Sequence, residues 1–353
     1  FSDWSSDVCS SDLSTLGKGF EQQFKHHLVK NVKPGVPRIW VDGCFDMFHW
    51  GHANVIRQAA AAFNYECCLC VGLHSDKTIT TQKAKPVMDE TERTAAVYAC
   101  QWVDEVVDGI TWWCTPYDFV KAFNIDYVVH GDDIVCDAVT GKNCYWEIQE
   151  HGMLKLVPRT EGVSTTDLIY RMLNPTSTDH WEGYRHSILS IDKIRLFSNQ
   201  KRAATKEDTI VYVDGVFDLL HIGHYNLLKH AKEIGSYVIV GVYDDNVANK
   251  KLGVNYPICN IGERVMLLLA CGYVDNVIIG APQGVTAEMI QKLHIAHVLH
   301  GTHEYDAELY KDAIEQGIME VYDSQSSVTA MDIIERIKAK HQVYEERNSK
   351  KQR

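Results

Sequence analysis

One segment of this chain is written twice, and that repetition constrains its fold more than any other feature. Val41-Asp-Gly-Cys-Phe-Asp-Met-Phe-His-Trp-Gly-His52 returns as Val213-Asp-Gly-Val-Phe-Asp-Leu-Leu-His-Ile-Gly-His224. Further along, Glu92-Arg93 with Trp102-Val-Asp-Glu-Val-Val107 answers to Glu263-Arg264 with Tyr273-Val-Asp-Asn-Val-Ile278, and Tyr127-Val-Val-His-Gly131 answers to His297-Val-Leu-His-Gly301. Matching segments kept in one order over a domain's length indicate a structural unit used twice. The length of 353 residues agrees, since domains usually run ~100–200 residues.

Each copy opens with a short apolar run (38–41; 210–213), passes a Gly-containing turn, continues as a helix-compatible run (53–62; 225–234) and returns to a second apolar strand (67–73; 237–243). Strand, turn, helix, strand is a βαβ unit, which builds parallel sheets with the binding crevice at the strands' carboxyl ends. The expected fold class is α/β: two tandem Rossmann-like domains with parallel sheets, spanning 37–175 and 209–342. No G-x-G-x-x-G follows either first strand, which argues against the dinucleotide-binding version of the fold. Residues 176–208 read as a linker with one helical stretch at 188–197, and 343–353 as a charged tail. Residues 1–36 read as a leader, partly disordered, of which 1–13, rich in Ser and Asp, resembles a cloning remnant rather than native sequence.

Charge narrows the class of partner. A formal net charge of −12 opposes binding along a nucleic-acid backbone, where affinity comes from neutralising phosphates with Lys and Arg. Small anions remain suitable, because local cations and helix ends hold them. The longest apolar runs, such as 265–270, fall far short of the ~20 residues that span a bilayer. Eleven cysteines are scattered, and the C-x-x-C spacing of Cys67 and Cys70 has no second such motif to pair with as a zinc site would, so reduced thiols in a cytoplasmic protein are expected, with no metal site.

The chemistry concentrates after each first strand. His49-x-Gly51-His52 lies at the strand-to-helix turn, where backbone amides converge on a bound phosphate and two imidazoles can donate to its oxygens. Such donors stabilise charge that develops during displacement at phosphorus. Alone, two His and a Gly make only a capped turn; the recurrence of the whole segment favours the phosphate reading. A second candidate anion seat is Arg159-Thr-Glu-Gly-Val-Ser-Thr-Thr-Asp167, in which Ser164 is expected to cap a helix with Asp167 at its third position.

The segment ending in His49-Trp-Gly-His52 resembles the signature of the H-x-G-H nucleotidyltransferases, specifically the phospholipid-precursor cytidylyltransferases, and the Arg159–Asp167 segment resembles that family's R-T-x-G-x-S-T-[ST]-D. The likeness runs from Pro37 to about residue 348. It implies transfer of CMP from CTP to an amino-alcohol phosphate, and two fused catalytic-type domains are the arrangement of the family's ethanolamine-specific branch, whose product is CDP-ethanolamine. A choline-specific member, or a nucleotide sensor of the same fold, is the alternative. By the same likeness His49, His52, Lys83 and Arg159 are the catalytic residues, with Lys85 a near substitute for Lys83. The CTP site adds Gly43, Cys44, Phe45, Gly51, His130, Gly131, Asp132, Gly162, Ser164, Thr165 and Thr166. Asp132 stands where the family usually has Asn. Asp46 and Tyr145 are assigned to the amino-alcohol substrate, and Mg²⁺ is expected to accompany CTP without a dedicated protein site.

The second copy keeps Val216, Phe217, His221, Gly223, His224, Lys251, His300, Gly301 and Thr302 as a weaker nucleotide site. It has Ser324 where Arg159 stands and Thr329-Ala-Met331 in place of Ser164-Thr-Thr166, so turnover is expected in the first copy. The likeness leaves room for a homodimer and for peripheral contact with the endoplasmic-reticulum membrane.

Overall fold

The computed structural model describes residues 19–133, 135–136, 141, 143–174, 189–253, 255–303 and 305–340, so segments 1–13, 176–188 and 343–353 lie outside the described residues. The chain divides into two compact units, one ending at Glu161 and the other beginning at Gly162.

The first unit holds a six-stranded sheet of β1 (His26–Val29), β2 (Arg38–Gly43), β3 (Cys68–His74), β4 (Glu105–Ile110), β5 (Tyr127–Gly131) and β6 (Leu154–Val157), in the order β1-β4-β3-β2-β5-β6. Apart from β1 the pairings are parallel. Every residue of β3 and β4 is buried, as expected of strands covered by helices on both faces. The helix Trp50–Ala61 follows β2, and Glu90–Ala99 precedes β4 with Asp89 and Glu92 forming a reciprocal capping box. β2 is flanked by β3 on one side and β5 on the other, so its carboxyl end is the switch point at which such sheets open a crevice.

β1 departs from the sequence reading. Residues 26–29 fall inside the expected leader, yet they pair antiparallel with β4. Polar contacts rather than hydrophobic alternation hold them: His27 Nε2 lies 2.6 Å from Glu105 and His26 Nδ1 lies 2.9 Å from Asp108. The sheet is therefore mixed rather than wholly parallel.

The second unit carries β7 (Ile210–Gly215), β8 (Tyr237–Val242), β9 (Asn276–Ile279), β10 (Ile295–Gly301) and β11 (Met319–Tyr322) in a parallel sheet ordered β11-β10-β7-β8-β9. The helical stretch expected near 188–197 is the helix Ile191–Ser198. The helix Thr165–Leu173, which the sequence reading grouped with the first domain, belongs to this unit. There Arg171 donates to both carboxylate oxygens of Glu263 at 2.6 and 3.0 Å and to the Ile258 carbonyl. Burial opposes the guanidinium charge, but the Glu263 charge outweighs it and holds Arg171 cationic.

One buried arginine per unit ties the first turn to the neighbouring strand. Arg93 donates to the carbonyls of Cys44 and His74 and to Asp76; Arg264 donates to the carbonyls of Val216 and Tyr243 and to Asp245. Cys114 and Cys144 form a disulfide, with a Cα–Cα distance of 4.7 Å. This corrects the expectation that all thiols are free: the fold brings together two cysteines from separate loops, which their spacing in the sequence does not disclose.

Candidate active site

β2 ends at Gly43, and a Cβ there would sit 3.3 Å from the Phe45 ring. Phe45 and Met47 adopt φ of 51° and 47°, and Phe217 and Leu219 of the second copy adopt 54° and 46°. Left-handed backbone at bulky residues is costly and persists where the surroundings fix it, and the Arg93 and Arg264 contacts to the same turns supply that fixing.

The turn delivers His49 as the N-cap of helix Trp50–Ala61. His52 Nδ1 accepts the His49 main-chain N–H at 3.4 Å, and the two rings stack with centroids 3.8 Å apart. A neutral imidazole that accepts through Nδ1 carries its proton on Nε2, which makes Nε2 a donor. Burial, aided by the charges of Lys83 and Arg159, lowers the His52 pKa to about 3. That electrostatic influence places both cations near the imidazole, so three of the residues singled out from sequence converge.

Lys83 Nζ lies 4.9 Å from the centroid of the Trp113 ring. Arg159 pairs with Asp133 at 3.1 Å, and its main-chain N–H donates to Asp132 at 2.9 Å. Asp132 thus braces the arginine segment. His130 Nδ1 lies 2.9 Å from the Gly131 carbonyl oxygen, and its ring centroid is 4.8 Å from that of Tyr145.

Asp46, expected at the substrate, instead spends its carboxylate on the amides of Val87 and Met88 at 2.9–3.1 Å. The buried carboxylate beside Tyr145 is Asp42, which the sequence reading passed over. Tyr145 donates to Asp42 Oδ1 at 2.5 Å, Thr115 donates to Oδ2, and Trp40 donates to Thr115. Burial, reinforced by Asp42, pushes the Tyr145 pKa well above the usual phenol value, so the hydroxyl keeps its proton. The only sequence signal for Asp42 is its recurrence as Asp214.

Ser164 caps helix Thr165–Leu173 as expected, accepting the Asp167 N–H at 3.0 Å. The Asp167 carboxylate turns to Arg171 at 2.5 Å, so the reciprocal half of the expected capping box is replaced by an ion pair. Gly162 adopts φ of 81° just before it.

Comparison with known proteins now bears on this geometry: residues 40–171 and again 212–343 match the family described as cytidylyltransferase-like. The chain belongs to the cytidylyltransferase-like family. Among curated relatives of this cytidylyltransferase-like chain, an ethanolamine-phosphate cytidylyltransferase of Dictyostelium discoideum is 41% identical over 91% of the chain and 96% of its own length. One of Mus musculus is 35% identical over 90% of the chain and 89% of its own length. Choline-phosphate cytidylyltransferase A of Homo sapiens is 42% identical over only 44% of the chain and 42% of its own length.

The second cytidylyltransferase-like copy repeats the imidazole pair: His224 Nδ1 accepts the His221 N–H at 3.4 Å, with ring centroids 3.9 Å apart. A Cβ on Gly223 would stand 3.2 Å from the His221 ring. Burial, with a lesser contribution from His303, lowers His221 to about 4, and burial lowers His224 well below the usual value. His300 Nδ1 lies 2.7 Å from the Gly301 carbonyl oxygen, Val216 is occupied by Arg264, and Thr302 follows β10. The side chain of Lys251 lies outside the described residues. Asp214 is closed off: Tyr310 donates to Oδ1 at 2.8 Å, while Tyr243 and the Gly284 N–H donate to Oδ2 at 2.7 and 2.8 Å.

Proposed function

We propose that this chain transfers CMP from CTP to phosphoethanolamine, giving CDP-ethanolamine and pyrophosphate, and that the first copy does so. The observation that carries the reading is the stacked His49–His52 pair at the turn after β2, on whose second ring the Lys83 and Arg159 charges act. A phosphate oxygen of phosphoethanolamine attacks the α-phosphorus of CTP, a new P–O bond forms, and the bond to the β-phosphate bridging oxygen breaks in line. No enzyme-bound covalent intermediate is required, so the protein's work is positioning and charge stabilisation. His52 donates its Nε2 proton in a hydrogen bond to an α-phosphate oxygen, His49 stands beside it, and Lys83 and Arg159 offset charge on the departing pyrophosphate.

Gly43, Cys44, Phe45 and Gly51 supply the turn for the nucleotide, and His130 and Gly131 its base and ribose. By sequence resemblance alone, Ser164, Thr165 and Thr166 are assigned to its phosphates. The ammonium is assigned to Asp42 and Tyr145. Mg²⁺ is expected on the triphosphate, where it neutralises charge. Around the turn, Asp42 is engaged by hydroxyls, Asp46 by amides and Asp133 by Arg159. Those carboxylates do not present a cage, and the ion would be held by phosphate oxygens and water, as Mg²⁺ commonly is.

No helix among the described residues is long and apolar enough to cross a membrane, and the proposed compartment is the cytoplasm, with any membrane contact peripheral. A side-by-side assay of phosphoethanolamine and phosphocholine with CTP tests the reading. The expected outcome is a clear preference for phosphoethanolamine, since trimethylation removes three N–H donors. Equal efficiency would overturn the head-group assignment, and no CTP-dependent turnover of either would overturn the enzymatic one.

A further inference from the structure

His74, the last residue of β3, is 4% exposed, and among the described residues neither of its ring nitrogens has a hydrogen-bond partner. Leaving a buried polar group without a partner forfeits the hydrogen bonds it made in water, so an orphaned imidazole at the edge of a candidate site calls for an occupant. Its setting points to one. In the parallel register Asp42 faces Gly72, and residues two apart on a strand share a face, so His74 projects on the same face as the Asp42 carboxylate. Its ring lies 4.9 Å from that of Trp113, the same aromatic that carries Lys83. The Trp113 main chain is near without making a hydrogen bond of normal geometry, and burial, with the Lys83 and Arg93 charges, favours the neutral ring against the opposing pull of Asp42 and the Trp113 main chain.

The second copy shows what can fill this space. Arg93 binds the His74 carbonyl as Arg264 binds that of Tyr243, so His74 and Tyr243 are equivalent positions. Tyr145 and Tyr310, each leading into a short helix, are likewise equivalent, and each donates to its unit's buried aspartate. Tyr243 reaches Asp214 with its own hydroxyl at 2.7 Å. His74 does not make that contact, and among the described residues of the first copy no other donor takes the place opposite Asp42 that Tyr243 fills opposite Asp214.

We infer that His74 is a specificity-determining residue: its ring nitrogen accepts an N–H from a primary ammonium that also donates to Asp42 and lies beside the Trp113 ring. A quaternary ammonium has no N–H to offer and would leave the imidazole orphaned. Rejection of a substrate that cannot satisfy a buried hydrogen-bonding group is far stronger than rejection by size alone.

This inference rests on the CMP-transfer reading above, and the test separates the two. The kcat/KM of the full chain would be measured for phosphoethanolamine, its N-methyl and N,N-dimethyl derivatives, and phosphocholine, with the KM for CTP read alongside. Wild-type efficiency is expected to fall with each methyl. His74→Leu should lower kcat/KM for phosphoethanolamine by about ten- to a hundredfold while leaving the value for phosphocholine unchanged or higher, so the ratio collapses with the KM for CTP intact. His74→Gln, which keeps an acceptor, should retain most of the preference. If His74→Leu does not fold, His74→Gln compared with His74→Tyr decides, since the tyrosine would cap Asp42 as in the second copy and abolish head-group selection. An unchanged ratio in a folded variant lacking the acceptor overturns the role of His74 even when the wild-type enzyme is active. An inactive wild type overturns the CMP-transfer reading instead.

Discussion

The two aspartates that end the first strands, Asp42 and Asp214, sit in equivalent positions and have opposite prospects. Asp214 is saturated by the protein itself, through Tyr310, Tyr243 and the Gly284 amide. Asp42 has Tyr145 and Thr115, but a histidine that does not reach it replaces the second tyrosine. Around the imidazole pairs the contrast repeats: Lys83 and Arg159 act on His52, whereas among the described residues His221 and His303 act on its counterpart His224. Keeping a motif is therefore not keeping a site. The H-x-G-H geometry stands in both copies because it is also a helix cap, while among the described residues the unfilled place opposite the aspartate and the Lys83–Arg159 charges beside the second imidazole are features of the first.

The sharpest way to break this comparison is to strike the same position in each copy. His52→Ala is expected to lower kcat by about a hundred- to a thousandfold, the usual consequence of removing a donor from developing charge, while His224→Ala acts only through stability. Turnover measured on folded variants checks this, and a reversed ranking would put the chemistry in the second copy. Arg159→Ala should follow, weakening the productive binding of CTP at least about tenfold, since a charge-assisted phosphate contact is worth about 1.5–3 kcal/mol; the KM for CTP reads it. Tyr310→Phe strips Asp214 Oδ1 of its tyrosine donor and should reduce unfolding free energy by about 1–3 kcal/mol without changing kcat. Denaturant titration alongside the activity assay tests whether the second pocket is purely structural.

The smallest effect is on acid stability. His52 and His221 have folded-state pKa values of about 3 and about 4 against an ordinary 6.5. Between those limits the unfolded chain binds the extra protons, so stability is full above pH 6.5 and declines as pH falls toward 4 and 3. Thermal melts across that range should show the decline in both copies, and a flat profile would contradict the neutral, buried state of the rings.

How far the sequence could be read follows from where each feature is encoded. The repeat, the strand–turn–helix order, His49, His52 and the Ser164 cap are contiguous patterns, and contiguous patterns are visible in a string. The Asp42 pocket draws on positions 42, 74, 113, 115 and 145 from four separate segments, and nothing local marks their meeting. β1 escaped because His26–Val29 is held by histidine–carboxylate contacts and main-chain pairing to β4 instead of by a strand-like alternation. Arg93 was seen as part of a repeated Glu-Arg pair, yet its task, holding two carbonyls of distant turns, exists only once the chain has folded.

The hydroxyl of Tyr145 on Asp42 has a consequence for the crevice around it. A bare carboxylate in so dry a place would draw in water, and that water would have to leave each time a substrate entered. With the phenol in contact at 2.5 Å, the negative charge is solvated by the protein before anything arrives. On the proposed function an arriving ammonium adds its N–H to a carboxylate that is already hydrogen-bonded, so less water has to leave for it to enter.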